Sequence, residues 1–198
     1  MPSDERAAVP HPFLVLNGMH GSGKTTAQIY LSDLGYLTHA EIGWAYRQHL
    51  AHHYDRDRTL LGDELAWYDR KIFEMERARD RFLEGFSALP HCVETWHLGN
   101  LAYASQRSPE ILDDLEAIFL EQTERMQPLF LFLAIGRDTF MARCSLDDTD
   151  PETLYDFYAR MRDMMLDTLR RYGFPHHVIN NEGSLEDLHQ ALARIVSS

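Results

Sequence analysis

One stretch constrains this chain more than any other: Phe13-Leu14-Val15-Leu16, then Asn17, then Gly18-Met19-His20-Gly21-Ser22-Gly23-Lys24-Thr25. The last eight residues fit the spacing G-x-x-x-x-G-K-[ST], a strand-to-helix turn that cradles phosphate. Its glycines let the backbone bend until successive N–H groups converge on one anion. The helix that follows aims its positive dipole end at the same point. Gly18, His20, Gly21, Ser22, Gly23, Lys24, Thr25 and Thr26 are therefore the expected triphosphate-binding residues. In such a loop the lysine ammonium reaches the β- and γ-phosphates and the next hydroxyl ligates Mg²⁺, which gives those tasks to Lys24 and Thr25.

Composition narrows the surroundings of that loop. A chain of 198 residues is large enough for one domain with a full core, so residues 1–198 read as a single domain with a polar tail over 1–11. The formal net charge of −12 argues against a nucleic-acid partner held by a broad basic face, but leaves room for a small anionic ligand held by a few local cations. Lys24 and Lys71 are the only lysines, so any other cation near the phosphates must be an arginine or a histidine. Cys92 and Cys144 lack the spacing of a metal or redox site, and Cys92, inside an apolar run, reads as core. The eleven histidines, His52-His53 and His176-His177 among them, show no zinc-site spacing. No long apolar span or secretory leader is visible, so a cytoplasmic protein without a membrane partner is expected.

Five short apolar runs alternate with helical patterns, the signature of an α/β fold with an approximately five-stranded parallel sheet and helices on both faces. The expected strands are Phe13–Leu16, Tyr36–Ala40, His91–Glu94, Leu129–Ile135 and Val178–Asn180. Leu129–Ile135, apolar throughout, reads as a strand buried on both faces. Helices are expected from Lys24 to Leu34, from Gly62 to Phe86 with Leu65, Tyr68, Ile72, Met75, Arg79 and Phe82 on one mostly buried face, and from Ser108, as cap, to Met126. A short helix over Asp138–Cys144 precedes the acidic loop Asp147–Asp150. The last two helices start at Asp150-Pro151 and at Ser184, and the first of them closes at Gly173. Its methionines, at helical spacing, read as core. Tyr54–Arg58 reads as a loop.

In an open parallel sheet ligands gather beyond the carboxyl ends of the strands. That rule singles out Asn17 to Thr25, Glu41, Glu94 to Asn100, Gly136-Arg137 and Asn180 to Gly183. Among them Glu94 follows Cys92-Val93 at the end of the third strand and can share Mg²⁺ with Thr25, and Glu41 ends the second strand and can orient an acceptor hydroxyl for in-line attack. Trp44, Trp96 and Tyr103 offer flat surface for a ring, and Asn100 a polar edge. Arg47, Arg107, Arg137 and Arg143 are candidate clamps for a transferred phosphoryl group.

With these residues in place the chain resembles the thymidylate kinase and deoxynucleoside kinase group of P-loop kinases, from about Phe13 to Val196. Glu41-Ile42-Gly43-Trp44 is similar to the glutamate-proline-…-tryptophan segment of deoxynucleoside kinases, which implies an acceptor-side base at Glu41 and a pocket wall at Trp44. Glu94-Thr95-Trp96 falls where the group carries Glu-Arg-Ser or Asp-Arg-Tyr, and Trp96 to Tyr103 resembles the stretch that follows. Leu133 to Arg143 is similar to the strand and lid-leading helix of both. Three departures stand out: no proline follows Glu41, Thr95 replaces the group's catalytic arginine, and Ser145–Asp150 is acidic where a lid is rich in arginine. Either Arg107, Arg137 or Arg143 takes over, or the substrate is not a standard nucleoside.

The resemblance implies a three-layer P-loop fold and an ATP- and Mg²⁺-dependent phosphotransferase. Its catalytic set would be Lys24, Glu41, Glu94, Arg137 and Arg143, its acceptor a nucleoside, nucleoside monophosphate or related small molecule, and a homodimer is compatible with it. Two other readings stay open: a kinase of a metabolite or antibiotic hydroxyl, and a regulatory NTPase with no acceptor.

Overall fold

The computed structural model describes residues 11–53, 63–144 and 150–198. The expected loop at 54–58, the tail up to residue 10 and the acidic segment before Asp150 lie outside them.

The strands are β1 (Phe13–Gly18), β2 (Leu37–His39), β3 (His91–Glu94), β4 (Leu129–Ala134) and β5 (His176–Asn180). All pair in parallel, in the order β2-β3-β1-β4-β5. The inner position of β1 and β4 follows from their composition. A strand with no polar alternation must be covered on both faces. Phe13, Val15, Phe130 and Phe132 enter one core cluster, while Leu14, Leu16, Leu129, Leu131 and Leu133 enter another on the opposite face. The first cluster is closed by α3 (Asp63–Glu84), α4 (Trp96–Arg107), α5 (Leu112–Met126) and α7 (Pro151–Tyr172). The second is closed by α1 (Lys24–Asp33) and α8 (Leu185–Val196), and it includes Cys92. This is the expected three-layer arrangement. Two further helices, α2 (Ile42–His53) and α6 (Arg137–Arg143), lie against α3 and α7, and α6 packs Phe140 on Met19 and Ile135 beyond the strand ends. No helix among the described residues is long and apolar enough to cross a membrane.

The helix ends follow local chemistry. Asp150 accepts from the Thr153 amide at 3.0 Å at the start of α7, and Gly173 closes that helix in the left-handed region. Ser184 and Asp187 form a reciprocal capping box on α8.

Three expectations need correction. The second strand is shorter than read: Tyr36 leaves the ladder and donates its phenol to the His11 carbonyl at 3.0 Å. Ser108 does not cap a helix with its side chain, because its hydroxyl is taken by Asp69 and a 3₁₀ turn over Pro109–Ile111 precedes α5. Phe82 lies 61% exposed, since the buried stripe of α3 is turned to enclose Asp69, Glu76 and Asp80 beside Ile72, Phe73 and Leu83. Acidic residues at those positions hide the true stripe from a search for apolar periodicity.

Ser184→Ala removes the hydroxyl from the capping box and is expected to lower stability by about 1 kcal/mol, read from urea unfolding.

Candidate functional site

The site begins where β1 ends. Gly18 pairs with Leu133 on β4, and a Cβ there would lie 2.7 Å from the Leu133 carbonyl oxygen, so only glycine fits. Gly23 takes a left-handed φ of 93° at the start of α1, with its bare Cα against the Asn181 amide. That amide donates to the Ser22 carbonyl at 2.7 Å and ties the loop to the end of β5. Lys24 folds back over the bend, donating to the Gly18 and Met19 carbonyls at 3.0 and 3.1 Å, and stands 3.7 Å from Glu94. Glu94 comes alongside because β3 runs in register with β1, Leu16 opposite Glu94. Burial raises the Glu94 carboxyl pKa and Lys24 opposes that shift. At His20 burial lowers the imidazole pKa, Lys24 lowers it further, and Glu41 acts the other way. Thr25 and Thr26 are exposed on the first turn of α1, and Ser22 is buried under the loop.

A narrow cleft opens beside Lys24, with about 330 Å³ of unfilled space when the open solvent at its mouth is counted. Asn17, Glu41 and Thr95 line it near the strand ends, and Tyr103, Tyr158, Met161 and Met165 line it from the helices. The corner after β3 is strained: Thr95 and Trp96, neither of them glycine, adopt φ of 69° and 50°. Such conformations cost on the order of 1–3 kcal/mol each and persist where the surroundings fix them. Here the Thr95 amide donates to the Leu16 carbonyl at 2.9 Å, and its hydroxyl donates to Glu41 Oε2 at 3.2 Å. Thr95, which stands in place of an expected arginine, therefore supports the Glu41 carboxylate. Burial raises the pKa of both the Tyr103 and the Tyr158 phenol, so this wall is uncharged.

A buried polar network holds Glu41 from below. Arg79 donates to the Ala40 carbonyl at 3.1 Å and pairs with Glu76, which also accepts from Asn100 at 3.1 Å. Asp80 accepts from Trp96 Nε1 at 2.9 Å and contacts His97 Nε2 at 2.8 Å. Tyr68 donates to the Gly43 carbonyl at 2.8 Å, fixing the first turn of α2.

The structure brings Lys24, Glu94, Glu41 and Tyr103 together. It separates others. Trp96 is not a pocket wall: it is 0% exposed, packed on Phe13, Phe119 and Phe130, because the left-handed corner turns its ring under the sheet. Asn100 is buried and committed to Glu76. Arg107 is not a free clamp, since it forks onto buried Asp69 and is sandwiched between the rings of Tyr68 and Tyr103. Arg137 pairs with Glu152 at the surface. Arg143 donates to the Asn181 carbonyl at 3.1 Å and abuts Gly21, at the edge of the loop. Trp44 (59% exposed) and Arg47 are both exposed on α2 and neither lines the cavity, although the Arg47 charge acts on the phenols of Tyr68 and Tyr158 beside it. Sequence reasoning placed Asn17 at the ligand edge without giving it a task, and it put Arg79 on the buried stripe of α3 without its partner Glu76. Tyr158, read as part of an apolar helix face, was not recognised as lining the cavity.

No protein-family model matches the chain, and no curated protein matches it in sequence. Solved structures do. A thymidylate kinase from Candida albicans superposes with a TM-score of 0.68 at 13% identity, over 96% of this chain and 92% of that one. A deoxyadenosine kinase from M. mycoides with bound dATP gives 0.61 at 14%, over 95% and 100%. A thymidylate kinase from Ehrlichia chaffeensis gives 0.61 at 16%, over 96% and 100%. At these identities the likeness establishes the fold: this chain has the P-loop kinase architecture of those neighbours.

Burial pushes the Glu76 carboxyl up to about 7, with Arg79 and Asn100 opposing and Asp80 adding to the rise. A carboxyl whose pKa is raised on folding stabilises the fold at low pH and loses that contribution as pH climbs through the folded value. His39, lowered to about 4 chiefly by burial, works with the opposite sign, so the test is a difference between variants. Between pH 5 and 7 the wild type is expected to lose on the order of 2 kcal/mol relative to Glu76→Gln, measured by denaturant titration at each pH.

Proposed function

We propose that the protein is a phosphotransferase that moves the γ-phosphoryl of ATP to the hydroxyl of a small acceptor, a nucleoside or related compound. The observation that carries this reading is the cavity that Lys24 and Glu41 line together, with Glu94 at 3.7 Å from the same ammonium. A phosphate site alone would need no second carboxylate facing it across a cavity. The loop suits a triphosphate: the close approach at Gly18 and the left-handed Gly23 expose backbone amides, and the one lysine of the loop is held at its mouth. Thr25 and Glu94 would hold Mg²⁺, which supplies charge neutralisation on the phosphate oxygens when bound.

The remaining chemistry belongs to this chain's own side chains. Glu41, with Oε2 taking the Thr95 hydroxyl, orients the acceptor O–H through its other oxygen and receives the proton. The acceptor oxygen forms its bond to the γ-phosphorus as the bond to the β–γ bridging oxygen breaks, and ADP leaves. Lys24 and the loop amides stabilise the charge that develops on the transferred group. Arg143, against Gly21, is the candidate arginine closest to the loop, and Arg137 is held at the surface by Glu152.

The test is incubation with ATP, Mg²⁺ and a panel of nucleosides, monophosphates and metabolite alcohols. Phosphorylated product should form in the wild type and be absent with Lys24→Ala. Glu41→Gln is expected to lower kcat by roughly 10²–10⁴-fold while calorimetry shows ATP binding retained. ATP hydrolysis that proceeds at one rate whatever acceptor is added would identify a regulatory NTPase instead.

A further inference from the structure

Three side-chain donors converge on the short segment that joins β2 to α2, and Glu41 lies between them. Arg79 Nη1 donates to the Ala40 carbonyl at 3.1 Å, Tyr68 donates to the Gly43 carbonyl at 2.8 Å, and the Thr95 hydroxyl donates to Glu41 Oε2 at 3.2 Å. The Ala40 carbonyl belongs to the rigid peptide plane that ends on the Glu41 nitrogen. Holding that oxygen restrains the backbone torsion from which the Glu41 side chain departs, and with it the rotamers open to the carboxylate. Gly43 is buried, and a Cβ there would stand 3.5 Å from Glu41 Oε1 and 3.6 Å from Asn100 Oδ1. The carboxylate and the Asn100 amide therefore abut the same turn.

Arg79 is itself set by its own helix. Its side chain is 11% exposed, and its Nη2 pairs with Glu76, three residues earlier and 0% exposed. The other Glu76 oxygen accepts from the Asn100 amide at 3.1 Å. One guanidinium thus spans a buried carboxylate and a backbone carbonyl, a planar fork that an ammonium on a flexible stem does not reproduce. Stability alone does not account for the pair, because apolar side chains of similar volume often serve as well or better. Burial also raises the Glu76 carboxyl to about 7, so ionising it near neutrality lowers the stability of the fold. What the charged pair supplies is direction.

We infer that Arg79 is a positioning residue for Glu41, and that Glu76 is the anchor that keeps its guanidinium on the Ala40 carbonyl. The inference rests on the kinase reading and goes beyond it by giving a task to two residues that do not line the cavity. Glu76 is faced by Arg79 and Asp80 on its own helix, by Asn100 on α4 and by Glu41 beyond β2. His39 on β2, in contact with His91 on β3, faces Arg79, and His97 on α4 faces Asp80. Arg47 on α2 acts on Tyr68 and Tyr158. A protonated Glu76 no longer holds the guanidinium by charge, so the contribution of the pair to transfer rises with pH through neutrality.

The experiment measures kcat, with ATP affinity by calorimetry, for the full chain with Mg²⁺ and an acceptor from the panel above that the wild type phosphorylates. Arg79→Met should lower kcat about tenfold or more and leave ATP affinity within about twofold. Because that change strands Glu76 in the interior, a second variant joins Arg79→Met to Glu76→Gln, which removes both charges and keeps an acceptor for Asn100. It should melt above Arg79→Met alone while kcat stays about tenfold down. In a Glu41→Gln background, adding Arg79→Met should lower kcat by less than about twofold more, since the residue acts through Glu41. With Glu76→Gln alone, the wild-type to variant ratio of kcat should grow from about twofold at pH 6 to about tenfold at pH 8. A kcat that recovers with stability in the double variant marks a merely structural pair and overturns the assignment. So does an unchanged kcat in Arg79→Met, full additivity with Glu41→Gln, or a ratio that does not move with pH; each leaves the kinase reading standing. A wild type that phosphorylates no acceptor defeats both.

Discussion

The close approach of two inner strands at the end of β1 sets the terms for everything around it. Gly18 lies against the Leu133 carbonyl with no space for a side chain, and the chain turns there into a loop whose carbonyls are gathered by the Lys24 ammonium. Neighbouring strand ends are then fastened to this bend by single hydrogen bonds, Thr95 to Leu16 from one side and Asn181 to Ser22 from the other. Because the sheet is parallel, every strand delivers its carboxyl end to the same edge. Glu94 and Asn17 therefore arrive beside Lys24 through strand register, without long side-chain reach.

A second layer of organisation lies in the buried acids of α3. Asp69, Glu76 and Asp80 are almost wholly enclosed, and each is met by a donor from elsewhere in the chain: Arg107 and Ser108, Asn100 and Arg79, Trp96 and His97. A buried carboxylate is tolerable only when so matched, and breaking one partner is costly. The pairs fasten α4 to α3 and, through Arg79 and the Ala40 carbonyl, fix the segment that carries Glu41. The strained corner at Thr95 and Trp96 is held between these two systems. Its reward is a hydroxyl on Glu41 and an indole N–H on Asp80 from adjacent residues that point to opposite sides.

Much of the fold was legible because its signals are local. Apolar runs without alternation mark inner strands, as at Leu129–Ala134, and caps such as Ser184 and Asp150 mark helix starts within a residue or two. The errors share one cause. Trp96, Asn100 and Arg107 all follow β3 and looked available, yet each is consumed by an acid on α3 that lies 16 to 38 residues earlier in the chain. Aromatic and basic residues near a strand end carry no mark that tells a pocket wall from a core anchor. Phe82 fails for the complementary reason: the buried stripe of α3 is partly acidic, so apolar spacing pointed to the wrong face.

By itself the sequence determined the bend at Gly18–Thr25, the parallel three-layer sheet and the identity of Lys24, Glu41 and Glu94 as groups at its carboxyl edge. These depend on backbone sterics, dipole direction and strand polarity, all set within a few residues. Only the tertiary structure decided which side chains remain free to meet a ligand, because that depends on pairing between distant segments. It placed Arg107, Asn100 and Trp96 in partnerships and left the Asn17 amide without a hydrogen-bond partner among the described residues.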